Sequence, residues 1–299
     1  MALSLSRRIA LVPVVAAALV AVTGALAPAA AYADSDGAAD LLDGSMHALV
    51  MGPTFLGNPA FLPGYMPAIE ANYLEQLGFS HDGTLTALVT PESPWFGPSI
   101  AKGVDILVNT IESDFNENQF SATAPLTVVG YSQSTVIESL AEHRLFADGI
   151  PLDDLRFVML GDATADPPSG ATGILDTWGD TTIGQAILNL LGWSNLVDVT
   201  TPNYLYPTDV FNVENDFWAT TVLPADFSIH PIESILNDLL GFFEHGCYLG
   251  GLPESEIVNA IASGGVVDGA TTYFTLADPV NLLESLIDTA LTDLGIPIP

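Results

Sequence analysis

Apolar side chains of residues 99–115 recur as Ile100, Val104, Leu107, Val108, Ile111 and Phe115, a single stripe at helical period. Four other stretches, 47–51 (HALVM), 85–90 (LTALVT), 126–129 (LTVV) and 155–160 (LRFVML), are short apolar runs bounded by turn residues. Runs of this kind fit strands covered on both faces, as in a parallel sheet. Residues 208–213 resume as a strand, and 266–276 predict a hairpin around Asp268-Gly269. Between them lie helical patterns at 67–77, 135–146 and 231–244, and a final one follows at 282–291. Three prolines and three glycines make 52–66 a loop. Strands alternating with helices give an α/β fold with a mostly parallel central sheet and helices on both faces.

Two regions break the alternation. Residues 166–207 are rich in Pro, Gly, Thr and Asn around one apolar stretch, and read as an insertion over the sheet, a candidate lid. Residues 1–33 run from a basic start (Arg7, Arg8) through an Ala/Val-rich apolar stretch to Ala31-Tyr32-Ala33. That is the pattern of a secretory signal peptide, so the mature chain is expected outside the cytoplasm, secreted or at the cell envelope; the alternative is an uncleaved anchor helix, since the apolar run is just long enough to span a bilayer. Residues 34–46 read as a flexible acidic leader and 47–299 as one catalytic domain.

Composition narrows the partners. The 299 residues hold 36 Asp+Glu against 5 Lys+Arg, a net charge of −31. A basic nucleic-acid footprint is excluded, and adhesion to anionic head groups is disfavoured. Hydrophobic residues at 49% argue for a packed core. With Cys247 alone there is no intramolecular disulfide, and no cysteine-based metal site is expected. Cys247 reads as a small buried apolar residue rather than a nucleophile.

The chemistry concentrates at Gly130-Tyr131-Ser132-Gln133-Ser134, between an apolar strand and a helix. A strand–turn–helix around G-x-S-x-G exposes the serine on a strained turn, and Ser134 stands where the second glycine would be. Ser132 is the candidate nucleophile. A base and an orienting acid must follow it in the chain. Of the five histidines, only His230 and His245 lie downstream on later segments, and His245, in a loop mouth, is the stronger candidate. Asp216, after the 208–213 strand, is the first choice for the acid; Glu214, Asp209 and Asp162 are alternatives. An oxyanion hole needs two N–H donors. Gln133 supplies one. The loop after the first strand supplies the other, from Thr54 in preference to Gly52, since Pro53 has no N–H. This chemistry needs no metal or organic cofactor.

Taken in order, these pieces resemble the PE-PPE domain family, serine α/β-hydrolases of mycobacteria and related actinobacteria, over residues 49–286. They are ALVMGPT at 48–54, Thr90-Pro91-Glu92, SIAKGV at 99–104, VGYSQS at 129–134, FEHGCY at 243–248 and TTYF at 271–274. The resemblance implies an α/β-hydrolase fold, similar to cutinases and other lipid esterases. It carries Ser132 as nucleophile and His245 as base. It also carries Asp216 as the acid, with Phe217 and Thr220 replacing the family's Gly and second Asp. The signal peptide stands where the family's helical PE or PPE domain would be, which implies a free-standing exported version.

The expected activity is a secreted serine esterase or lipase acting on acyl, and specifically fatty-acyl, esters through an acyl-enzyme. One rival is an acyltransferase with the same triad, passing acyl chains to cell-envelope glycolipids. Another is a non-catalytic, wall-associated binding protein on a hydrolase scaffold. The expected partner is a small-molecule acyl ester or lipid.

Overall fold

The computed structural model describes residues 42–170, 172–179, 181–191, 193–197, 199–220, 241 and 245–277. The predicted signal peptide, most of the leader, His230 and the helices expected at 231–244 and 282–291 lie outside these residues, Gly241 excepted. In chain order the elements begin with β1 (His47–Val50), α1 (Tyr65–Ile69), β2 (Thr84–Ala87) and α2 (Phe96–Asn116). Next come β3 (Leu126–Tyr131), α3 (Gln133–Ala147), β4 (Leu155–Leu160), α4 (Ile174–Gly179) and α5 (Thr182–Leu191). The last are β5 (Thr208–Val213), α6 (Glu254–Ala262), β6 (Val266–Asp268) and β7 (Thr271–Leu276).

The seven strands form one sheet in the order β2-β1-β3-β4-β5-β7-β6. Every pairing is parallel except the terminal β6–β7 hairpin, whose turn holds Gly269 at φ 60°. β3 and β5 are buried along their whole length, β3 as its apolar run requires and β5 although Thr208, Asp209 and Asn212 are polar. Two apolar clusters sandwich the sheet, one centred on α2, α3 and residues 174–206, the other on residues 65–79 and α6.

The order has one functional consequence. After β1 the chain builds β2 on one side, then crosses back to lay β3 on the other. The loops leaving β1 and β3 therefore diverge, opening a crevice at the carboxyl ends of these strands, where ligands bind in open α/β sheets. The loop after β1 begins at Met51-Gly52; the turn after β3 holds Ser132.

Boundaries differ from the sequence pattern where polar contacts outweigh periodicity. The helix expected at 99–115 starts three residues earlier, because Gly97 and Pro98 occupy its first turn, where no intrahelical N–H bond is required. The helix at 67–77 is α1 continued by a π turn (Glu70–Leu74) and a 3-10 turn (Glu75–Leu77). The end of the acidic leader is packed: Leu42 and Ser45 are fully buried, and the Ser45 hydroxyl donates to the Pro125 carbonyl.

α3 is the central helix, and most of its first ten residues are buried. Among them are two glutamates, Glu138 and Glu142, both fully buried. Neither oxygen of Glu138 has a hydrogen-bond partner. Burial, with Glu142 and Asp162 nearby, pushes its carboxyl well above the ordinary range. Such a group keeps its proton when folded and releases it above about pH 4.5 when unfolded, so stability falls as pH rises past that point. Glu138→Gln removes this dependence. It should stabilise the fold more at pH 8 than at pH 4, by at least the roughly 1.4 kcal/mol that a tenfold difference in proton affinity represents. Thermal melts of both proteins at the two pH values check this; equal effects at both would count against a neutral, buried Glu138.

Candidate active site

Ser132 joins β3 to α3 with no intervening loop. Its backbone stands at φ 62°, ψ −117°, a region that L side chains rarely occupy. Four contacts hold it there. The Ser132 amide donates to the Leu160 carbonyl at 2.9 Å, and Thr135 Oγ1 donates to the Ser132 carbonyl at 2.8 Å. Ser134 Oγ accepts from the Tyr131 amide at 2.8 Å and lies 3.1 Å from the Gly52 carbonyl. The serine that replaces the second glycine of the motif thus ties the turn to the loop after β1. Two residues before Ser132, Gly130 packs on Glu138, whose carboxyl carbon would be 2.7 Å from any Cβ there.

Asp216 and His245, remote in sequence, are paired. His245 Nδ1 lies 3.0 and 2.9 Å from the two carboxylate oxygens of Asp216, with both residues buried. Asp216 accepts two further bonds, from the Trp218 amide at 2.8 Å and from the Tyr248 hydroxyl at 2.6 Å. An acceptor of this kind makes Nδ1 the donor and leaves the lone pair on Nε2. Nε2 is buried and has no hydrogen-bond partner, Ser132 included.

Three groups that sequence reasoning missed set this pair in place. The Gly241 carbonyl accepts from both the Phe217 and the His245 amides, each at 3.1 Å, joining the loop of Asp216 to the turn of His245. Tyr248 orients Asp216 with its hydroxyl, which also accepts from the Val213 amide at 2.8 Å. Tyr131 donates its hydroxyl to the His245 carbonyl and packs its ring 5.3 Å from the imidazole, centroid to centroid. Gly161, at φ 61°, completes the enclosure: a Cβ there would be 2.8 Å from His245 Cε1. The spacing of Tyr248, three residues past His245, is the one signal of these roles visible in the sequence.

The alternative acids stand elsewhere. Glu214 is exposed. Asp209 is buried within β5, where burial pushes its carboxyl up to about 7. Asp162 is held by Thr164 and Thr201 hydroxyls at 2.7 and 2.5 Å. Cys247 is only partly buried, more exposed than expected, on the turn Cys247–Leu249.

Gln133 opens α3, so its amide is among those a helix leaves without an intrahelical acceptor, at the positive end of the helix dipole. Its side chain bridges two loops: Thr54 Oγ1 donates to Gln133 Oε1 at 3.0 Å, and Gln133 Nε2 donates to Ser99 Oγ at 2.6 Å. Thr54 is thereby fixed beside Gln133. Next to Ser132 and Gln133 lies a cleft walled by apolar side chains, among them Val136, Ile174, Leu196 and the rings of Phe96, Trp193 and Trp218. Phe96 and Trp193 approach to 4.3 Å between centroids, and Trp193 and Trp218 to 5.1 Å. Residues of the expected insertion form one wall of the cleft, through Ile174, Leu175, Trp193 and Leu196. Among the described residues no group of His, Cys, Asp and Glu is arranged to hold a metal ion.

Strain at Ser132 has a measurable sign. Glycine adopts this backbone freely and alanine does not. Ser132→Gly should be more stable than Ser132→Ala by roughly 1–2 kcal/mol, a difference denaturant titration of the two variants reads directly.

Among solved structures the chain is similar to lysin B from Mycobacteriophage D29, at 15% identity and TM-score 0.40 over 82% of this chain and all of that one. It is similar to a cutinase-like protein from Cryptococcus sp., at 17% identity and TM-score 0.36 over 70% of this chain and 98% of that one. An uncharacterized PPE family protein of Mycobacterium tuberculosis, PPE28, is 28% identical over 237 residues, 77% of this chain and 32% of that protein. The chain thus spans about a third of that relative's length. The family model described as the PE-PPE domain matches residues 82–295, well over half of the chain. With its parallel sheet and the serine turn after β3, the fold is that of an α/β-hydrolase, and the chain belongs to the PE-PPE domain family.

Proposed function

We propose that this protein is an exported serine ester hydrolase that cleaves acyl esters with Ser132 as nucleophile, His245 as general base and Asp216 as the orienting acid. The observation that carries the reading is the buried Asp216–His245 pair. It leaves Nε2 unpartnered and lies beside Tyr131, the residue before the strained Ser132. Export rests on the pattern of residues 1–33.

In this mechanism Ser132 Oγ attacks the ester carbonyl while its proton passes to His245 Nε2. Asp216 holds the ring orientation and stabilises the imidazolium. The carbonyl oxygen, now negative, takes the amides of Gln133 and Thr54. Collapse expels the alcohol, which receives the proton from Nε2 and leaves an acyl-serine. A water molecule then gives its proton to Nε2 and attacks the acyl carbon; the acid departs and Ser132 regains its proton. The acyl chain is directed toward Phe96, Trp193 and Trp218, whose apolar side chains must part to admit it, suit a hydrocarbon and offer a second hydroxyl substrate few polar contacts.

The test is hydrolysis of p-nitrophenyl esters from C2 to C16 by the purified protein. Ser132→Ala and His245→Ala should each lower kcat by about 10³-fold or more, with folding intact by circular dichroism. Asp216→Ala should do nearly the same. A wild-type protein inert across the series would sink the reading in favour of acyl transfer or a non-catalytic role. Tyr248→Phe should reduce kcat by roughly tenfold at little change in KM, since Tyr248 touches Asp216 and not the cleft.

A further inference from the structure

Two loops adjoin residues that line the cleft. Residues 52–64 leave β1 and residues 88–95 leave β2, and they are stitched together. The Phe55 amide donates to the Glu92 carbonyl at 2.7 Å, and the Thr90 amide donates to the Gly57 carbonyl at 3.0 Å. The first loop carries Thr54 against Gln133; the second runs straight into Phe96, a wall of the cleft.

These loops carry a concentration of exposed apolar side chains. Phe61 is 81% exposed and Trp95 77%, the two most exposed large apolar side chains among the described residues. The same loops also carry Val89 and Phe55, exposed to 55% and 54%. Phe55 is moreover held at φ 75°, a strained conformation for an aromatic residue, with its side chain more than half in water. Single exposed apolar residues are ordinary; four of them on two hydrogen-bonded loops that adjoin the cleft mark a contact surface.

Charge identifies the partner. About one residue in eight of this chain is acidic. Residues 52–64 contain no Asp, Glu, Lys or Arg, and residues 88–95 contain only Glu92. Glu92 is buried, with Thr90 Oγ1 donating to it at 2.9 Å. These loops therefore present aromatic and aliphatic side chains with no exposed charge, on a molecule whose overall charge repels anionic surfaces. A protein partner with a basic patch would find no acid here to pair with.

We propose that this collar inserts into the surface of an uncharged lipid aggregate, so that the cleft receives its ester from a lipid–water interface rather than from solution. The proposal builds on the esterase reading only in what the cleft does with the lipid; the attachment itself is independent of catalysis.

The experiment uses Ser132→Ala protein, so that no lipid is consumed, mixed with phosphatidylcholine vesicles and separated by flotation. The protein should float, with a blue shift of tryptophan emission that Trp95→Phe diminishes. Adding Phe61→Ser and Trp95→Ser should weaken partitioning on the order of tenfold or more while the melting temperature holds, since neither side chain is packed. Vesicles enriched in phosphatidylglycerol should bind less. With Ser132 intact, the Phe61→Ser/Trp95→Ser variant should keep its rate on dissolved p-nitrophenyl acetate and lose it on an emulsified long-chain ester. The proposal is overturned if the protein stays in the aqueous phase or if the double variant floats as well as its parent. It is equally overturned if sedimentation shows a dimer that the double variant dissolves, which would make a second copy the occupant. Flotation that depends on the collar, with wild type inert on every ester, would keep the collar and remove the esterase reading.

Discussion

The turn at Ser132 is the constraint around which the rest of the structure is organised. A strand and a helix meet there with one residue between them, and that residue sits in a backbone region costing on the order of 1–3 kcal/mol. Such a conformation persists only where its surroundings over-determine it. β3 is buried from end to end and locked between β1 and β4. α3 packs against the sheet on one side and α2 on the other. Ser134 links the turn to the loop after β1, so the same contact that stabilises the strain also places Thr54 beside Gln133.

Burial on both faces of α3 explains a second oddity. Through its first ten residues this helix has little solvent side on which to put polar groups, yet it carries Glu138 and Glu142. Glu138 fills the space that Gly130 leaves behind the turn, where its carboxyl meets the glycine's backbone. A carboxyl retained there without partners opposes folding at neutral pH, in contrast with the exposed acids that give the chain its charge. Its role is that of a packing element that happens to be ionisable.

How much of this is legible in the sequence follows from the range of each interaction. The strands and the GYSQS turn are local patterns, and residue type alone marks them. Ser132, Asp216 and His245 are singled out by their order along the chain and their positions after strand ends, which restrict the choice. Apolar pattern also places Leu88 and Val89 in the second strand, but Val89 points to water and the strand closes at Ala87. Pattern does not distinguish an apolar residue in a strand from one exposed on a loop. Gly241 is invisible for another reason. Its role consists of contacts with Phe217 and His245, and a carbonyl that receives two amides leaves no mark on residue type. Tyr248 is marked only by its spacing from His245.

The shared carbonyl of Gly241 couples two segments that are remote in sequence. One oxygen receives the Phe217 and the His245 amides, so the loop of Asp216 and the turn of His245 have a single point of attachment in common. A rotation of that one peptide would loosen both segments at once. The two side chains therefore respond together to a disturbance there, and neither is displaced alone.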